Sequence, residues 1–187
     1  SSALWPPFPR SLPLVIDEAL FHSLDAALRF AFQPRLPIID AVKLVGWIGT
    51  DKRRRLGGLA LLTREEKVAQ AALLRSFIDR QPDHMAGWAH ARFDLGRGRT
   101  GGQQVLTSYA MPRMGGGIVK RRLVYQIVAR HYGKQVMLQD LAEQFGVHPN
   151  TIGNKVRRVE EVLRAVESEA QSSMTADLVQ LGVITPS

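Results

Sequence analysis

No cysteine occurs in this chain, which excludes disulfides and every zinc site built on thiolates. No run of about 20 apolar residues is free of charge, and the first residues lack the order of a secretory signal, so a cytoplasmic protein without a membrane span is expected. The five histidines, at 22, 84, 90, 131 and 148, fall at no metal-ligand spacing. Also missing is a coherent carboxylate cluster or a nucleophile with its base, so the chain is not expected to be an enzyme. Gly96 to Gly102, GRGRTGG, lacks the glycine and glycine-lysine order of a nucleotide-binding loop. These absences leave binding without metal or organic cofactor as the expected activity.

Positive charge and apolar periodicity are what the sequence does contain. At 187 residues with 45% apolar content the chain can bury a substantial core. Its 25 Lys and Arg exceed its 17 Asp and Glu, which favours a polyanionic partner. The excess is concentrated toward the carboxyl end, where Arg113 to Arg164 holds 10 basic and 4 acidic residues.

Within that region the stretch LQDLAEQFGVHPNTIGNKV, Leu138 to Val156, carries the most information. Leu138, Leu141, Ala142 and Phe145 recur at helical spacing and make one apolar face, with Ala142 small enough for a close crossing. Gly146 follows where the chain must leave the helix through a left-handed conformation. His148 and Pro149 restart a helix, Pro149 being acceptable in its first turn. Two helices joined by a short turn, the second opening with small polar groups, is the arrangement that lays a helix in the major groove. The segment resembles the helix-turn-helix DNA-binding superfamily, particularly region 4 of sigma factors.

With Ile152, Val156 and Val159 turned inward, Asn150 and Asn154 project outward and suit paired hydrogen bonds to an adenine edge, while Thr151 suits a thymine methyl or a hydrogen bond. Lys155, Arg157 and Arg158 are expected on phosphates, although Glu160 and Glu161 follow and offer them partners. His148 is read as a turn or cap residue beside the phosphate set rather than a metal ligand. Upstream, Leu123, Val124, Ile127 and Val128 predict a helix over about 117–132, the first of a three-helix unit, with Lys120, Arg121 and Arg122 at its start to hold the backbone. Double-stranded DNA is therefore the expected partner.

The apolar spacing of the second motif helix continues through Leu163 and Val166, an a/d-like seam over two heptads. Its cover is either a second copy in a homodimer or the amino-terminal helices of the same chain. Ser173 to Ile184 predicts a final short amphipathic helix with Leu178, Leu181 and Ile184.

The expected fold is all-α: a proline-rich arm at 1–14, a helical module at 15–95, a glycine-rich linker at 96–116, and a helix-turn-helix domain with carboxyl-terminal helices at 117–187. In the module, Asp17 to Phe32 predicts one helix, and Ile38 to Ile48 a buried helix or strand. The Lys52 to Arg55 run reads as a solvated loop or a second phosphate contact. Thr63 and Glu66 form a T-x-x-E capping box before a helix buried through Val68, Ala71, Ala72, Leu74, Phe77 and Ile78. Asp83 to Phe93 predicts a short helix, and Val105 to Met111 a short helix or strand able to dock one module on the other.

Residues 129–163, ARHYGKQVMLQDLAEQFGVHPNTIGNKVRRVEEVL, also resemble the carboxyl-terminal part of some lambdoid phage late-gene antitermination proteins. That resemblance implies DNA binding near a promoter followed by loading on RNA polymerase, with a protein-binding task for the amino-terminal module. The sequence-specific transcription regulator is the leading expectation. A protein-interaction module that uses the motif as scaffold, and a recombinase-like enzyme, are the other readings.

Overall fold

Local capping sets where the helices begin. Thr63 Oγ1 accepts from the Glu66 amide at 3.2 Å while the Thr63 amide donates to the Glu66 carboxylate at 2.7 Å, the reciprocal box predicted for this position. A computed structural model describes residues 19–33, 62–114 and 120–185. Its helices are α1 (Leu24–Ala31), α2 (Arg64–Asp79), α3 (Asp83–Phe93), α4 (Arg97–Ala110), α5 (Arg121–His131), α6 (Leu138–Phe145) and α7 (Pro149–Gln180), with a 3₁₀ turn, Met111–Arg113, after α4. The fold is all-α. The proline-rich arm, the Ile38 to Ile48 stretch and the Lys52 to Arg55 run lie outside the described residues.

One helix organises the others. Ile152, Val156, Val159, Leu163, Val166, Ala170, Met174 and Leu178 are all buried along α7, and α1, α3, α4, α5 and α6 pack against it. The seam foreseen over two heptads is thus covered by the chain's own helices, and it extends further than expected. The separate helix at Ser173 to Ile184 is instead the end of α7, because apolar residues keep their four-residue spacing through Met174 and Leu178 and no breaker intervenes before Gly182. Leu181, assigned to the apolar face of that helix, is exposed, whereas Ile184 is buried.

The amino-terminal helix also begins later than its periodicity predicts. Ser23 Oγ accepts from the Ala26 amide at 3.2 Å and caps α1, which leaves Leu20 and Phe21 outside it. Phe21 pairs instead with the carboxyl end: its amide donates to Val183 O at 3.1 Å and its carbonyl accepts from the Thr185 amide at 3.0 Å. Phe21 and Ile184 form an isolated parallel bridge. Arg75 on α2 donates to Ala31 O at 2.8 Å and fastens α2 to the end of α1.

The largest departure is the expected linker at 96–116, most of which is α4. Gly102 there provides closeness rather than freedom. A Cβ on Gly102 would stand 2.5 Å from Gly87 O and 2.6 Å from Ala91 N, so the two helix backbones of α3 and α4 approach through that missing side chain. Val105 to Met111 is helical, as one of its two expected states, and Leu106 and Ala110 are buried. A single apolar cluster runs from Leu20 to Ile184 and includes residues of both expected modules. The division at 96–116 therefore does not separate two cores.

His90 on α3 joins the surface of this body to its helix ends. Its Nε2 lies 2.9 Å from an Asp79 oxygen and its Nδ1 3.5 Å from Asp94. The hydrogen bond to Asp79 raises its pKa above the ordinary 6.5, partly opposed by burial. His131 on α5 is shifted the other way, chiefly because burial disfavours its charge.

Gly102→Ala lowers the unfolding free energy in urea by about 1–3 kcal/mol, since both facing atoms are backbone. Gly101→Ala, which meets nothing within 4 Å, raises it by about 0.5–1 kcal/mol; equal effects would contradict the close approach. His90 contributes stability that is complete below pH 6.5 and is lost as pH rises through its raised folded value. His131 acts oppositely, costing stability as pH falls below 6.5. The stability gap between wild type and His90→Gln is therefore widest on the acid side and closes upward; a gap constant with pH would remove the carboxylate pairing as its cause.

Candidate nucleic-acid interface

The turn between α6 and α7 is built as its residues require. Gly146 adopts φ 63° and ψ 39°, a left-handed conformation that a Cβ would oppose. Its amide donates to Glu143 O at 3.3 Å and the Val147 amide donates to Ala142 O at 3.0 Å, which closes the carbonyl end of α6 in a Schellman arrangement. Leu141 and Ala142 are buried, with Leu138 and Phe145 packed beside the core. His148 caps α7, its Nδ1 accepting from the Asn150 amide at 3.3 Å, and Pro149 occupies the first turn. With Nδ1 as acceptor, the neutral ring carries its proton on Nε2. His148 is thus a cap, and only Nε2 of its ring remains for an outside acceptor.

From this start α7 divides into two faces. Ile152 and Val159 are fully buried and Val156 nearly so, while Asn150, Thr151, Asn154, Arg157 and Arg158 are exposed and Lys155 is partly exposed. Asn150, Asn154 and Arg157 lie within about 60° of one another around the axis. The six polar candidates on α7 therefore share its first three turns.

Glu160, which follows as a competitor for these cations, turns elsewhere. Its oxygens meet Arg130 at 3.5 Å and Arg164 at 3.9 Å. Glu167 holds Arg92 at 2.8 Å and Glu169 meets His84 at 3.2 Å. Among the described residues Lys155 and Arg157 make no ion pair. Arg158 is partly engaged, since one guanidinium nitrogen donates to Met114 O at 2.9 Å.

Lys120, Arg121 and Arg122 occupy the exposed start of α5, as expected, but their neighbour is α4. Arg121 donates to Ser108 Oγ at 2.8 Å. A cleft of about 580 Å³ lies there, lined by Gln104, Thr107, Arg121, Arg122 and Tyr125. The α4 side of this cleft and Arg113 escaped motif reading because they sit in the supposed linker. One signal was available: from Leu95 to Gln139 the chain has no Asp or Glu.

Comparison of the chain with protein-family models, with curated proteins and with solved structures yields no match. Among the described residues no group of His, Asp or Glu can hold a metal ion, and no helix is long and apolar enough to cross a membrane.

Gly146→Ala costs about 1–2 kcal/mol of stability by urea unfolding, the penalty of a left-handed alanine. Gly153→Ala, in α7 with nothing within 4 Å of its would-be Cβ, gains about 0.5–1 kcal/mol. A neutral Gly146 substitution would show that the turn relaxes out of the left-handed region.

Proposed function

We propose that this protein is a sequence-specific DNA-binding transcription regulator that reads the major groove with the first three turns of α7. The observation that carries this reading is the division of that helix start: Ile152 and Val156 are buried, while Asn150, Thr151 and Asn154 stand exposed beside Lys155, Arg157 and Arg158. A groove about 12 Å wide accepts one helix, and its base edges present donors and acceptors at spacings that paired amides match. Asn150 and Asn154 supply both a donor and an acceptor each. Among the described residues Lys155 and Arg157 have no ion pair, and they suit the flanking phosphates. His148 contributes through its remaining nitrogen. The short turn at Gly146 joins α6 to α7 and the two helices pack on each other, which supports a helix-turn-helix reading.

The DNA-facing stretch of α7 is short. Val159 is buried, and Glu161, two residues further on, is exposed. That acidic side chain ends the surface favourable to phosphates, so about three turns, roughly 16 Å, engage DNA. The α7 seam is occupied within the chain, so a homodimer on a two-part site would use another surface. Action on RNA polymerase belongs to the same proposal as its antitermination variant.

Selection of duplexes from a random pool, followed by titration at two salt concentrations, tests the assignment. Asn150→Ala and Asn154→Ala each reduce discrimination between the selected site and random duplex by about 1–3 kcal/mol, with random affinity nearly unchanged. Lys155→Gln and Arg157→Gln weaken both and each lower the salt slope by about 0.9. Equal losses on selected and random DNA from the asparagine variants would sink their role as readers. Absence of any salt-sensitive duplex binding would leave a protein-interaction scaffold.

A further inference from the structure

Nine glycines lie among the described residues, and packing or backbone accounts for seven of them. Gly133, Gly146 and Gly182 have positive φ. Gly87 and Gly102 lie where α3 meets α4, and Gly96 and Gly98 lie against Asp94. Gly101 and Gly153 remain. Both are inside helices and, among the described residues, have nothing within 4 Å of the position a Cβ would take. A glycine inside a helix destabilises it relative to alanine, and at these two positions no contact within the described chain offsets that loss.

Their surroundings differ. Gly101 is on α4, outside the motif, whereas Gly153 is in the opening turns of α7 among the exposed polar groups. At about 100° per residue, Asn150 and Asn154 lie about 40° apart around the axis and Gly153 about 60° to one side of Asn150. Thr151 and Lys155 each lie about 160° from Gly153. With the asparagines toward the floor of a groove, Gly153 therefore faces one wall, and Thr151 and Lys155 face the other. Arg157, one turn beyond Gly153 and about 40° from it around the axis, overhangs the same wall.

An α-helix with its side chains is about 10–12 Å across and the major groove is about 12 Å wide, so neither flank has room to spare. A missing side chain on one flank lets the helix axis move toward the wall on that side. We propose that Gly153 is the clearance through which one DNA strand packs directly on the backbone of α7, seating the helix off-centre in the groove. The role of Gly153 rests on the DNA reading above and deepens it. Arg157 holds a phosphate of the strand packed at Gly153, and the long Lys155 side chain spans the wider gap to the opposite strand. Charge and polarity favour DNA over a protein partner at this flank: Asn150, Asn154 and Arg157 border it, and none of the exposed large apolar side chains lies in these turns.

The test uses the full chain with Gly153→Ala and Gly153→Leu, and with the same two changes at Gly101, each titrated with the selected duplex and with random duplex of equal length. Gly153→Leu weakens binding to both duplexes by about 5- to 150-fold, the range of an overpacked contact, and Gly153→Ala weakens it by less. The salt slope keeps its wild-type value, since no charge is removed. Stability moves the opposite way, because Gly153→Ala raises the urea midpoint. Both Gly101 variants leave duplex affinity unchanged. Wild-type affinity in Gly153→Leu, or an equal loss in Gly101→Leu, would overturn the clearance. So would altered sedimentation of the DNA-free chain in Gly153→Leu with duplex binding intact, which would give the bare flank to a second copy of the chain. The two readings fail separately: a wild-type chain that binds no duplex removes the DNA reading and the clearance together, whereas undiminished binding by the leucine variant removes the clearance alone.

Discussion

The burial of one unbroken apolar seam along α7 is the constraint on which the other helices depend. From Ile152 to Leu178 eight side chains enter the core, over a helix of 32 residues and about 48 Å. The first three turns present polar groups outward while their inner side already belongs to that seam. A helix stiff over this length transmits its placement from one end to the other. The exposed asparagines are therefore positioned by helices α1, α3, α4 and α5 as much as by the neighbouring α6. Such rigidity reduces the ordering that the proposed DNA binding must otherwise impose.

Electrostatic segregation follows from the same helix. Glu160, Glu167 and Glu169 face Arg130, Arg92 and His84 on the body, so these three acidic groups of α7 secure its flanks. These pairs are partly exposed and individually worth little. Their larger effect is on the charge left outside: the helix start keeps Lys155 and Arg157, and α4 and α5 contain no acidic residue. In the proposed complex with DNA, the rate and direction of approach depend on that distribution.

Much of the local structure was legible in residue order. Thr63 with Glu66, Gly146, and Pro149 after His148 mark helix ends because the groups that satisfy free backbone amides and carbonyls lie within a few residues. The inward set of α7 was legible through Leu163 and Val166 for the same reason of short-range geometry. Periodicity was misleading where a distant partner intervened. It continues from Leu20 and Phe21 into α1, yet Ser23 caps the helix and releases Phe21 to pair with Ile184 at the far end of the chain. Glycines at 101 and 102 look alike in sequence, but one faces open space and the other the backbone of α3.

Residue order was enough to establish that the chain is helical, where its motif turns, and which face of α7 is apolar. These properties are local, set by backbone sterics and by spacing within two or three turns. Only the packed chain reveals that the seam is covered by its own helices and that Gly102, within the glycine-rich stretch, lies at a buried helix contact. The same holds for the cleft that Arg121 and Arg122 form with α4, and for the turning of Glu160 away from the polar helix start. Each of these depends on which distant surfaces meet. Burial of apolar area is non-directional, so residue order specifies that a face must be covered without naming what covers it.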